Sequence, residues 1–369
     1  MFKPRGTVLS VLYVLFILCV SLAHAVPQNN QAGKAGKNAN GGGNKKGGGG
    51  NGGNGGNGGG GGGGQTAQQK AAQKPSGVTV SKDGSTMILD QTVQINGLQI
   101  RYKVSAPADQ FTADSGVKGS NAAANAAGSI GMNVLLHGDG GQSFFDFPNQ
   151  GVNANLMGVA VLAPDKNLKW GGADRGGKQR PDGVAHSLAV NDLITKELPK
   201  MVAFNQSEVF FTGVSGGSLT LAGFFMPAHM GNFPNSGVML NCGGMAPQVA
   251  FTPEATKALA NTRIHFQSTT QELKSLQQSI PQAVQAYEKA ASNAGLSSQQ
   301  INALQTVNNS PNGGHCAFDG KGFVSGVQLM ATNYENVMLA SGSGQVSGIQ
   351  NVNTGVVGNE RLQFARGGN

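Results

Sequence analysis

Ser215 stands in Gly213-Val214-Ser215-Gly216-Gly217, entered by the apolar run Val209-Phe210-Phe211-Thr212 and left by an apolar, helix-spaced run from Leu219. A strand, a sharp turn and a helix in that order make a nucleophile elbow, which holds a serine in a strained backbone and aims its oxygen at a carbonyl carbon. The glycines two residues either side fit, because any side chain there collides across the turn. The pentapeptide alone is weak in a chain with 59 glycines among 369 residues, so its partners decide the matter.

Acyl chemistry needs a pocket for the oxyanion, a base and an acid behind the base. Upstream, Leu135-Leu136-His137-Gly138-Asp139-Gly140-Gly141 runs from a buried strand into a glycine-rich turn. The backbone N–H of Asp139 or Gly140, with that of Gly216, is the expected oxyanion hole. Downstream, Asn312-Gly313-Gly314-His315-Cys316 places a histidine on a flexible loop after the last predicted strand, where a general base has to arrive. His137 is assigned to the oxyanion turn, His265 to a strand, and His186 and His229 to surface or local packing positions. The acid is less obvious. It belongs just after the penultimate strand, yet Phe266-Gln267-Ser268-Thr269-Thr270-Gln271-Glu272-Leu273 contains no aspartate. Glu272 is the nearest carboxylate, and a plain helix-start role competes for it. An acid from another loop, Asn241 as a substitute, or a dyad without an acid remain open at this point. No Cys/His cluster with metal-ligand spacing occurs, and the chemistry asks for neither metal nor cofactor.

These residues require a sheet to present them. Gly77 to Ala106 alternates apolar and polar residues around Asp83-Gly84 and Asn96-Gly97 turns, and predicts three short antiparallel strands. A polar stretch over 107–130 reads as a surface loop. Buried strands are predicted at Met132–Leu136, Val159–Pro164, Val209–Thr212, Gly237–Asn241 and Arg263–Phe266, and a last strand or its approach at Ile301–Val307. Helices are predicted over Ala185–Phe204, after the elbow up to a limit at Pro227, over Ile280–Ala294 and over 324–340. An antiparallel start followed by alternating strands and helices predicts a mostly parallel sheet covered on both faces.

The ends bound the setting. Lys3 and Arg5, the apolar Val8–Val20 and Ala23-His24-Ala25 read as a secretory signal over residues 1–25, too short to span a membrane comfortably. Residues 26–76 are mostly Gly, Asn, Gln, Ala and Lys, a tail with almost nothing to bury and expected to be disordered. Lys3, Arg5 and the six tail lysines account for the whole net charge of +8, so the remainder is balanced and no nucleic-acid groove is implied. Weak adhesion of the tail to anionic polymers is one reading; a solvated spacer is the plainer one. The domain is expected over 77–345, with a C-terminal extension over 346–369, as a secreted monomer that needs no membrane after signal removal. Of three cysteines, Cys19 leaves with the signal, and Cys242 and Cys316 are expected to pair in an oxidising compartment. Asn205 and Asn308 head glycosylation sequons for a eukaryotic host.

The His137–Gly141, Gly213–Gly217 and Gly314–Cys316 motifs, in that order, resemble the α/β-hydrolase superfamily. They are most similar to secreted fungal esterases of the feruloyl esterase and polyhydroxybutyrate depolymerase type, over about residues 77–345. Some fungal sequences of this look carry a cyclin-like F-box label, but no F-box-like helical pattern is present here. The resemblance implies the α/β-hydrolase fold, Ser215 as nucleophile, His315 as base and the turn at Asp139 and Gly140 as oxyanion hole. It also implies an aspartate where Thr270 stands, so Glu272 is expected to substitute. The expected activity is cleavage of small or polymer-linked carboxylic esters through an acyl-enzyme. The alternative is an inactive hydrolase-fold protein that binds wall or plant polymers through its tail.

Overall fold

The computed structural model describes residues 64–365. The signal segment and most of the basic tail lie outside the described residues. In chain order the elements begin with a short helix α1 (Ala67–Ala71) and three antiparallel strands, β1 (Gly77–Val80), β2 (Met87–Ile95) and β3 (Leu98–Ala106). Then come β4 (Gly131–Leu136), α2 (Gln142–Asp146), β5 (Val152–Asn153), β6 (Leu156–Leu162), α3 (Gly183–Asp192) and α4 (Leu198–Met201). The elbow joins β7 (Val209–Val214) to α5 (Gly216–Thr220) and α6 (Met226–His229). After it follow β8 (Gly237–Asn241), α7 (Pro253–Ala258), β9 (Arg263–Gln267), α8 (Lys274–Asn293), α9 (Ser298–Leu304), β10 (Gln305–Asn308), α10 (Phe323–Met338) and β11 (Thr354–Gly355).

The strands join in one sheet in the order β1-β2-β3-β6-β4-β7-β8-β9-β10-β11, with β5 on β6. From β6 to β10 every pairing along that path is parallel. This is the α/β-hydrolase fold. Strands β4, β7 and β8 are buried at every position, as their near-continuous apolar runs require of a sheet covered on both faces. One face packs Val134, Leu136, Phe211 and Leu240 against Leu221, Phe225 and Tyr287. The other packs Phe210, Val214 and Met239 against Met330, Tyr334 and Val337 of α10. Each such fully buried side chain contributes roughly 1.5–3 kcal/mol.

The register places the site. Leu136 pairs Gly213, Val214 pairs Asn241, Asn241 pairs Gln267, and Gln267 pairs Asn308. The carboxyl ends of five parallel strands therefore stop level, and the segments that leave them are the ones holding the candidate residues. Between β4 and β7 the chain first crosses to β6 and then returns, so the strand order reverses there, which is where open α/β sheets bind ligands.

Five expectations about elements are corrected. The tail does not run to residue 76: Thr66 and Gln69 form a capping box that starts α1, and Arg101 donates to the carbonyls of Lys70 and Gln73, so residues 64–76 belong to the domain. Residues beyond 345 belong to it as well, since β11 pairs β10 and Val346 and Val356 are buried. Most of the predicted strand Ile301–Val307 is helix α9, because Ser297 and Gln300 make a second capping box that periodicity alone hides. The elbow helix passes Pro227 and ends at His229. A π turn over Leu221–Phe225 shifts the bonding, and the Gly223 carbonyl that Pro227 cannot serve accepts from the Gln248 N–H at 2.7 Å. The stretch over 107–130 is anchored rather than loose, with Phe111 and Val117 buried in the core.

Candidate active site

The elbow forms for steric reasons that can be read off its glycines. Ser215 has φ 50° and ψ −113°, a conformation that L-residues rarely hold. A Cβ on Gly213 would lie 2.6 Å from the Ser218 Cα, and one on Gly217 would lie 2.0 Å from the Leu136 carbonyl oxygen. The strained serine is tied down by its N–H, which donates to the Asn241 carbonyl at 2.8 Å, and by Ser218 Oγ, which donates to the same carbonyl at 2.9 Å.

Ser215, His315 and Glu272 meet at this edge. His315 Nε2 lies 2.9 Å from Ser215 Oγ, and His315 Nδ1 lies 2.5 Å from Glu272 Oε1. With its proton on Nδ1, the imidazole donates to the carboxylate and offers the serine hydroxyl a lone pair at Nε2. Ser215 is half-buried, while the Glu272 side chain is fully buried and that of His315 is 20 % exposed. A buried carboxylate needs partners, and Glu272 Oε1 also accepts the Leu273 N–H at 2.8 Å. That amide lies at the entrance to the twenty-residue α8, whose N-terminal dipole favours a negative charge. The two expectations for Glu272 are thus not rivals: it starts a helix and it accepts from the histidine. Asn241 takes no part in this chain of hydrogen bonds.

The histidine loop is fastened to the acid loop along its length. Thr269 Oγ1 donates to the Gly314 carbonyl at 3.1 Å, the Thr270 N–H to Pro311 at 2.9 Å, and the Gln271 N–H to Gly313 at 3.2 Å. Cys316 forms a disulfide with Cys242, which directly follows β8, with their Cα atoms 5.3 Å apart. Phe323 packs beside the His315 ring and close to Gly138.

At the oxyanion turn the two named residues separate. The Gly140 N–H is spent on the Leu168 carbonyl at 3.0 Å, so Gly140 is not a donor. The N–H groups of Asp139 and Gly216 have no acceptor among the described residues and remain for a ligand oxygen. His137 acts behind the turn: Nδ1 donates to the Gly138 carbonyl at 2.6 Å and Nε2 accepts the Ala163 N–H at 2.9 Å. Burial pushes His137 down to about 4, so it stays neutral and can do both.

Other expected positions resolve individually. Asn308 is 1 % exposed, and its Nδ2 is directed to Gln267 and Gln350, so its sequon is closed to glycosylation; Asn205 sits in an exposed turn. Phe144 and Phe147 are core residues around Lys103. His186 is buried and accepts the Gly171 N–H at 2.9 Å. Sequence reasoning did not find Arg180, whose guanidinium meets Asp139, or Thr269; neither carries a motif, and only the fold brings them here. Among the described residues no group of three or more His, Cys, Asp or Glu side chains could hold a metal ion.

No protein-family model matches the chain, and no curated protein matches it in sequence. Among solved structures it is similar to a thermostable esterase at 16% identity and TM-score 0.40, covering 61% of this chain and 55% of that one. The chain thus spans about half the length of that esterase. A cold-adapted esterase from an Arctic intertidal metagenomic library is similar at 12% identity and TM-score 0.38, over 69% of this chain and 96% of that one. Acyl-protein thioesterase 2 of Zea mays is similar at 16% identity and TM-score 0.36, over 56% of this chain and 96% of that one. At such distances none of them transmits a substrate.

Proposed function

We propose that this chain is an exported serine hydrolase that cleaves carboxylic esters through an acyl-enzyme. The observation that carries the reading is the unbroken line from Ser215 Oγ through His315 to Glu272, with links of 2.9 and 2.5 Å. In acylation, Ser215 Oγ bonds to the ester carbonyl carbon while its proton passes to His315 Nε2. The carbonyl oxygen takes the negative charge, held by the N–H groups of Asp139 and Gly216. Glu272 stabilises the imidazolium and fixes its orientation. The tetrahedral intermediate then expels the alkoxide, which takes the proton from His315. Water enters, gives a proton to the same nitrogen and attacks the acyl carbon; the bond from that carbon to Ser215 Oγ then breaks, the carboxylic acid leaves, and Oγ takes the proton back from His315.

The half-buried serine supports access for an acyl group from solvent, and the disulfide beside His315 supports an oxidising compartment. The alternative, a binding protein, is motivated by the departed acid and by the unusual tail; the contact of Glu272 with His315 supports the enzymatic reading on the first point. Hydrolysis of short p-nitrophenyl esters tests the reading: activity lost in Ser215→Ala is expected. Activity that survives this substitution would contradict it.

A further inference from the structure

Arg180 is unusual in its cost and its destination. It holds φ 50°, the left-handed region that arginine avoids. The surrounding chain is shaped to keep it there: Asp174 Oδ1 accepts its N–H at 3.1 Å, and the Gly183 N–H donates to its carbonyl at 2.9 Å. Gly171 makes the room, since a Cβ there would lie 2.6 Å from the Arg180 Cβ. Strain of this kind persists where the placement of one side chain matters. The side chain, only 6 % exposed, reaches Asp139, with Nη2 to Oδ2 at 2.7 Å and Nη1 to Oδ1 at 3.2 Å. Nη1 also donates to the Trp170 carbonyl.

The Asp139 carboxylate lies over the elbow. Its Oδ1 is 2.0 Å from where a Cβ on Gly216 would stand, so the glycine is required by that carboxylate. Asp139 and Gly216 are also the residues whose N–H groups are free to bind an oxyanion. A bare carboxylate beside that position opposes the negative charge that develops in the transition state. We propose that Arg180 is a positioning residue that cancels the Asp139 charge and holds the turn so that its N–H groups can receive the oxyanion. The inference rests on the acyl-enzyme reading above. It treats the pair as a charge device at the reaction centre, unlike an exposed ion pair, which contributes little.

The test is steady-state kinetics on a p-nitrophenyl butyrate series, with fluorophosphonate labelling of Ser215 in parallel. Arg180→Met leaves the carboxylate without its counterion, and kcat is expected to fall on the order of 10- to 100-fold with KM nearly constant. Adding Asp139→Asn to Arg180→Met removes the opposing charge and should recover about tenfold or more of that loss. A double variant as slow as Arg180→Met, or an Arg180→Met enzyme with unchanged kcat, would overturn the proposal and leave the acyl-enzyme reading intact. Absence of labelling in the wild type would overturn both. If Arg180→Met does not fold, Arg180→Lys against Arg180→Gln serves instead. Lysine should retain about tenfold more kcat than glutamine, whereas equal losses would show that the charge is irrelevant.

Discussion

At the scale of residues the site depends on what each side chain can donate or accept. Glu272 holds His315 in the tautomer that leaves Nε2 free for Ser215. Glu272→Gln replaces an acceptor by a group that can present an N–H to Nδ1, which favours the wrong tautomer. Its kcat is therefore expected to drop by roughly 10²- to 10⁴-fold with KM little changed, measured by steady-state ester hydrolysis. A Glu272→Gln enzyme within a few-fold of wild type would remove Glu272 from the account. Ser215 and His315 are legible in the sequence through their setting and order, a serine between a strand and a helix and a histidine on a loop further along, rather than through either short motif alone. Glu272 is only half legible, since its side-chain length and its place before α8 decide the contact, and neither shows in a motif. Arg180 is invisible for a related reason: its partner is forty-one positions away, and the two meet only through the fold.

At the scale of elements the elbow and the two fastened loops convert strand ends into a rigid site. Gly217→Ala would drive a methyl into the backbone carbonyl of Leu136, an atom the central sheet cannot move. That variant is expected to lose at least about 2 kcal/mol of stability, visible in urea unfolding, or to fail to accumulate as soluble protein. The disulfide has a double role, because Cys316 follows the histidine in sequence and Cys242 directly follows β8. Replacing both cysteines by alanine should cost about 2–4 kcal/mol of stability and lower kcat together with it. Stability lost with kcat unchanged would show that the bridge staples the domain without holding His315. The buried strands were predicted well, for their apolar runs leave little choice. Helix α9 was not, because a capping box rather than periodicity starts it, and α1 was masked by its resemblance to the low-complexity sequence before it.

At the scale of the whole molecule two fully buried histidines contribute to the response to acid. His137 and His265 are each pushed by burial from 6.5 to about 4. The unfolded chain binds protons at both from about pH 6.5 downward, whereas the folded chain does not until near pH 4. Their contribution is therefore complete above 6.5 and is lost as the pH falls toward 4. The loss is on the order of a few kcal/mol per group, and the thermal midpoint should decline across that window. A midpoint constant from pH 7 to 4.5 would contradict it. The sheet, its mixed directions and the order of its motifs were legible in the chain, while the domain limits were not. Arg101 recruits residues 64–76 at one end, and β11 pairs β10 at the other, through contacts between distant parts of the sequence. The central claim is that Ser215 alone is the activated nucleophile, and intact-protein mass spectrometry after exposure to a fluorophosphonate, which an activated serine attacks at phosphorus with loss of fluoride, reads it directly. The expected result is one adduct per chain, mapped to Ser215 and absent from Ser215→Ala; no adduct on the wild type, or one that persists in Ser215→Ala, would contradict it.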